Sequence, residues 1–171
     1  MKASQFKQGR VIDFEGTRKK GVKQASIIDY LNFKIIGSSE YLQSDNRFRE
    51  WINTDIDVNH IDYWVAHNIN VEQNLIKKYT PYKTFNEITG VNWGPWIDTL
   101  QVYKKLYPKL EDYSLKCLGD TFLSKKEVDN LAAERCIRTA PKYHQSMYDC
   151  VVTFLLLKRI SEKINLSLFL S

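Results

Sequence analysis

Val11-Ile12-Asp13-Phe14-Glu15 sets two acids into a run that otherwise reads as a buried strand. Side chains alternate faces along a strand, so Asp13 and Glu15 point the same way and Phe14 points to the other, core side. Two carboxylates side by side on one face repel each other. A fold keeps such a pair where cations neutralise it, and hard divalent cations prefer oxygen ligands. The pair therefore favours folds in which the end of a core strand opens into a charged site.

A length of 171 residues with 43% hydrophobic side chains suits one globular domain, residues 1–171. There are four prolines and seven glycines, so neither a linker nor a low-complexity run stands out. The net charge of +5 is concentrated at one end. Lys2, Lys7, Arg10, Arg18, Lys19, Lys20 and Lys23 surround Asp13 and Glu15, whereas acids and bases balance in the rest of the chain. A basic collar around an acidic pair suits a polyanion approaching a metal site. Cys117, Cys136 and Cys150 are widely spaced and form no CxxC, which points to a reducing compartment. The start of the chain is polar, and the longest apolar stretch, Val151 to Leu157, is too short to span a bilayer. The expectation is a cytoplasmic protein without a membrane partner.

Hydrophobic spacing gives the element order. Residues 9–16 read as a strand, followed by a turn bracketed by Gly16 and Gly21. Ala25 to Phe33 and Lys34 to Leu42 read as two more strands of an antiparallel meander. Residues 45–60 read as helical or irregular. Tyr63 to Ala66 is a short apolar run suited to a strand returning beside the first. Asn68 caps a helix over 69–79 that Pro81 ends. Ile97 to Leu106 reads as a helix stopped before Pro108, Ser114 to Leu118 as a short one, and 125–134 as a further one. Gln145 to Lys163 is the strongest helix, with Tyr148, Val152, Leu155, Leu156 and Ile160 forming its apolar stripe. Strands first and helices after, with one late strand between helices, predict an α/β fold with a mixed sheet flanked by helices.

Two more acids fall where helix faces should be apolar. Asp149 aligns with Val152 and Leu156, and Glu72 with Leu75 and Ile76. An acid near a helix N-terminus is favoured by the helix dipole, which is the plain explanation for Glu72. Asp149 on a core stripe needs a partner. His144 lies five residues before Asp149, about 500° of helix rotation, so the two cannot share a helical face and His144 belongs to the loop before the helix.

Val11-Ile12-Asp13-Phe14-Glu15-Gly16-Thr17 resembles the first motif of the DEDD exonucleases, the superfamily of ribonuclease T and the polymerase III proofreading subunit. Val65-Ala66-His67-Asn68-Ile69-Asn70-Val71-Glu72 resembles the second, and Trp96-Ile97-Asp98-Thr99-Leu100 the "DTL" segment after it. His144-Gln145-Ser146-Met147-Tyr148-Asp149 resembles the third, with the H-x4-D spacing of the DEDDh branch. The motifs occur in order over residues 11–149. Glu72 is a departure, because the family has Asp there.

The resemblance implies an RNase H-like fold and 3′-to-5′ exonuclease activity on single-stranded nucleic acid, DNA slightly ahead of RNA. It also implies two divalent ions, Mg²⁺ or Mn²⁺, held by Asp13, Glu15, Glu72 and Asp149. Two metals roughly 4 Å apart suit an in-line phosphodiester displacement. His144 would be the general base, since an imidazole titrates near neutrality. Gly16, Thr17, Arg18, His67 and Asn68 would meet the substrate. Related enzymes include monomers and homodimers, so either state fits. The alternative is a non-catalytic nucleic-acid-binding or adaptor module on the same fold, which Glu72 alone supports.

Overall fold

The computed structural model describes residues 7–42, 48, 61–76, 79, 94–137 and 140–171. The expected irregular stretch 45–60 lies outside these residues except for Phe48, and so do Lys2 and Pro81. The chain runs β1 (Gln8–Thr17), β2 (Gly21–Leu31), β3 (Lys34–Leu42), β4 (Tyr63–Ala66), α1 (Ile69–Ile76) and β5 (Trp96–Asp98). It continues through α2 (Thr99–Leu106), α3 (Leu115–Phe122), α4 (Lys125–Arg135), α5 (Ser146–Ser161) and a 3₁₀ turn, Leu166–Phe169.

The sheet has the order β3-β2-β1-β4-β5. The meander β1-β2-β3 is antiparallel, whereas β4 runs parallel to β1 and β5 parallel to β4. Asn32 and Phe33 both take positive φ, 49° and 58°, so the β2–β3 connection is a two-residue hairpin turn. That turn ends β2 at Leu31, two residues before the apolar pattern runs out.

Alternation along the strands builds a core on each face. Val11, Ile28, Tyr30, Val65 and Ile97 pack on α5, while Ile12, Phe14, Ile27, Trp64 and Trp96 pack with Leu75 and Ile76 of α1. Each fully buried aliphatic side chain contributes roughly 1.5–3 kcal/mol. The helix α5 is buried nearly all round, as its composition, apolar on every face from Cys150 to Leu157, requires.

The expected helix from Ile97 begins instead at Thr99. Trp96 to Asp98 pair with Trp64 to Ala66 as β5, and the Asp98 side chain accepts the Leu100 N–H at 3.0 Å, capping α2. A three-residue strand is too short to show its own period. The short helix from Ser114 extends through Gly119 to Phe122. Arg10 leaves the expected basic collar. It is 4% exposed and bonds Asp29 through Nε at 2.6 Å and Nη2 at 2.8 Å. It shares the inner face of β1 with Ile12 and Phe14, opposite Asp13, and its guanidinium lies 5.4 Å from the Trp64 ring. Among the described residues, no helix is long and apolar enough to cross a membrane.

Candidate functional site

The strand β1 pairs with β4 only from Gly9 to Val11, and β4 ends at Ala66. Beyond that point β1 carries Asp13 and Glu15 past the end of its parallel neighbour. Glu72 of α1 enters here. Its carboxylate accepts the backbone N–H of Phe14 and its own N–H, and its side chain is 2% exposed. From the opposite face α5 delivers Asp149 in its first turn, 6% exposed. The three segments converge because two helices on opposite faces of the sheet both reach the end of one strand.

Three buried carboxylate oxygens have no hydrogen-bond partner: Asp13 Oδ2, Glu72 Oε2 and Asp149 Oδ1. Buried acceptors are almost always satisfied, so three orphans in one place mark missing positive charge. Burial is the main cause that raises the proton affinity of all four acids. Asp13 is held well above the usual carboxylate range, first by burial and then by Asp149, Glu72 and Glu15. Glu72 is pushed up to about 8, although its bonds to backbone N–H groups pull it back. Asp149 is pushed up to about 7, with the His144 N–H opposing the shift. Hard oxygen donors, buried and electrically crowded, fit divalent cations well.

His144 has a positive φ of 66° and an exposed side chain. Its backbone N–H donates to Asp149 Oδ2 at 3.1 Å. An imidazole nitrogen of His144 and carboxylate oxygens of Glu15 and Asp149 all lie within 4.8 Å of one another. The imidazole also lowers the proton affinity of Glu15 against the effect of burial. All five residues expected at the centre are thus brought to one place. None of the three cysteines joins this cluster, and all three are free thiols.

The expected substrate residues divide. Thr17 and Arg18 are exposed where β1 turns into β2, beside Glu15. Gly16 follows a register slip between Glu15 and Gly16, and a Cβ there would lie 2.2 Å from the Gly21 carbonyl oxygen. The close approach of β2 by itself requires glycine at this position. His67 has both ring nitrogens engaged by the protein: Nε2–H donates to the Tyr113 carbonyl at 2.9 Å, and Nδ1 lies 2.9 Å from Thr99 Oγ1. Burial lowers its proton affinity. Asn68, at φ 71°, donates its backbone N–H to Asp98 Oδ1 at 2.9 Å.

Asp98 is a residue whose role the sequence reading passed over. One carboxylate oxygen ties the start of α1 to the start of α2, and the Asp-Thr-Leu run ahead of a helix was the available signal. Ser26 and Ser146, hydrogen-bonded to each other, carried no signal at all, since each is an ordinary small polar residue in its own segment.

No family model and no curated protein sequence matches this chain. Among solved structures it is similar to Exonuclease X in complex with 5′ overhanging duplex DNA. The TM-score is 0.55 at 20% identity, covering 90% of this chain and 91% of that one. The likeness shows the fold: α/β and RNase H-like, a mixed sheet flanked by helices.

Proposed function

We propose that this protein is a metal-dependent 3′-to-5′ exonuclease of the DEDDh type. It would hydrolyse phosphodiester bonds from the 3′ end of single-stranded nucleic acid, DNA slightly ahead of RNA. The observation that carries this reading is the meeting of four carboxylates and one imidazole at the end of β1, with three buried oxygens lacking partners. A solved neighbour of the same fold is a DNA-bound exonuclease, which agrees with a nucleic-acid substrate.

Asp13, Glu15, Glu72 and Asp149 would hold two Mg²⁺ or Mn²⁺ ions. Asp13, which feels the charge of the other three acids, would sit at the middle of this ligand set. When bound, such ions supply Lewis-acid charge for the attacking water and the leaving oxygen. His144, beside Glu15 and Asp149 and open to solvent, would accept the proton of that water. The Phe14 N–H orients Glu72, and the His144 N–H orients Asp149. Gly16, Thr17 and Arg18 would border the terminal nucleotide, with Lys19 and Lys20 along the phosphate track. Asn68 and the backbone of His67 would border it from the α1 side. The free thiols fit a reducing, cytoplasmic setting.

The test is digestion of a 5′-labelled oligonucleotide with Mg²⁺ or Mn²⁺, run side by side on single- and double-stranded DNA and RNA. Progressive shortening is expected, fastest on single strands, and Asp13→Ala or Asp149→Ala should stop it. Full activity in both variants would falsify the assignment. His144→Ala should lower kcat about 10²- to 10⁴-fold with divalent-ion affinity retained. A protein that binds no divalent ion by calorimetry would be the non-catalytic module instead.

A further inference from the structure

We propose that Gly119 and Tyr143 act together as positioning residues for His144: a notch in α3 seats the tyrosine that precedes the base. The proposal rests on the role given to His144 above. Gly119 is buried inside α3, where glycine weakens a helix. A Cβ at Gly119 would lie 2.4 Å from Tyr143 Oη and 3.1 Å from Val152 Cγ1. The tip of the tyrosine therefore occupies the space that the missing side chain leaves.

Neighbours on α3 and α5 hold the ring in that notch. Tyr148 meets it edge to face, with centroids 5.0 Å apart and planes at 79°. Lys116 Nζ lies 5.6 Å from the ring centroid, and Tyr143 Oη lies 3.5 Å from Asp120 Oδ1. Lys116 and Asp120, one helical turn apart, pair with each other.

The next residue is His144, whose backbone sits in the left-handed region at φ 66°. A non-glycine residue stays there when its surroundings hold it. On one side the hold is the N–H bond to Asp149. On the other it is the docked Tyr143. A shift of the tyrosine rotates the backbone that aims the imidazole at Glu15 and Asp149. Neither Gly119 nor Tyr143 belongs to the acid and imidazole cluster, so their effect on chemistry must pass through His144.

The experiment is a double-mutant cycle. Gly119→Ala should lower kcat about ten- to a hundredfold, the scale for a base displaced by about 1 Å. Tyr143→Ala, which empties the notch without a clash, should lower kcat similarly and covers the case in which Gly119→Ala fails to fold. In a Tyr143→Phe background the clashing oxygen is gone and the nearest ring atom, Cζ, is 3.6 Å away. There, Gly119→Ala should change kcat by less than about threefold. Calorimetry should find divalent-ion affinity changed far less than kcat, because the imidazole is displaced more than the N–H that meets Asp149. The chain has three histidines, so His144→Ala identifies the His144 imidazole NMR signals. Those signals should move in Gly119→Ala and return when Tyr143→Phe is added.

Unchanged kcat and unmoved signals in Gly119→Ala or Tyr143→Ala would overturn the proposal. An equal loss in both Gly119→Ala backgrounds would overturn it too, as would ion affinity falling in step with kcat. If the parent protein cleaves no nucleic acid, the exonuclease reading fails, and the imidazole signals alone still decide whether the notch positions His144.

Discussion

Ser26 Oγ and Ser146 Oγ lie 2.7 Å apart in the core and join β2 to the first turn of α5. Ser26 is the cross-strand partner of Asp13, and Ser146 precedes Asp149 by one turn. The Cys150 thiol strengthens the seam by donating to the Ser26 carbonyl at 3.3 Å. One pair of hydroxyls thus sets the spacing between the strand that carries Asp13 and the helix that carries Asp149. Ser146→Ala or Ser26→Ala leaves the other hydroxyl buried and unpaired, at a cost of about 1–3 kcal/mol. The double variant should cost less than the two single changes added together, because both polar groups leave at once. Urea denaturation measures all three, and single variants as stable as the parent would show the contact to be energetically idle.

Crowded acids make a pH prediction. Asp13, Glu15, Glu72 and Asp149 hold protons more tightly folded than unfolded, Glu72 up to about 8 and Asp149 up to about 7. From the ordinary carboxylate values of 3.8 and 4.5 up to those raised values, the folded protein binds more protons than the unfolded chain. Stability then falls as pH rises through that window. In EDTA the melting temperature should drop between about pH 5 and about pH 8, and divalent ions added at the upper end should restore it. Asp13→Asn should flatten the slope. A level melting temperature in EDTA would contradict the crowding.

Glu72 is suited to its place by its length. Its carboxylate meets the Phe14 N–H across the gap between α1 and β1. Glu72→Asp withdraws it by about 1.5 Å and strands that N–H, so divalent-ion affinity should fall about tenfold or more. Calorimetric titration of parent and variant decides this, and equal or tighter binding by the shorter acid would refute it.

Gly16→Ala should act on stability first. The new Cβ would meet backbone that cannot rotate away, the Gly21 carbonyl oxygen at 2.2 Å and Val22 Cα at 2.8 Å. A cost of about 1–3 kcal/mol is expected from such overpacking. If denaturation finds the variant as stable as the parent and only KM for an oligonucleotide rises, the glycine serves the substrate instead.

Local periodicity made most of the centre legible. The period of two on β1 put Asp13 and Glu15 on one side and Phe14 in the core, where it is 3% exposed. The helical period placed Glu72 and Asp149 on buried faces, and the helix rotation between His144 and Asp149 put the histidine on a loop. Each of these inferences needs residues only a few positions apart. The strand β5 escaped because three residues carry no measurable period, and its identity depends on Trp64 to Ala66 lying alongside.

The sequence by itself determined which side chains carry the charge and which way each faces within its own element, since backbone geometry fixes both. Only the tertiary structure decided what meets each face. Arg10 was withdrawn from the basic surface by Asp29, 19 residues away, and His67 was engaged by Tyr113, 46 residues away. Gly16 and Gly119 gained their purposes from β2 backbone and from Tyr143. These outcomes rest on contacts between segments distant in sequence, and such contacts exist only once the chain has closed around its core.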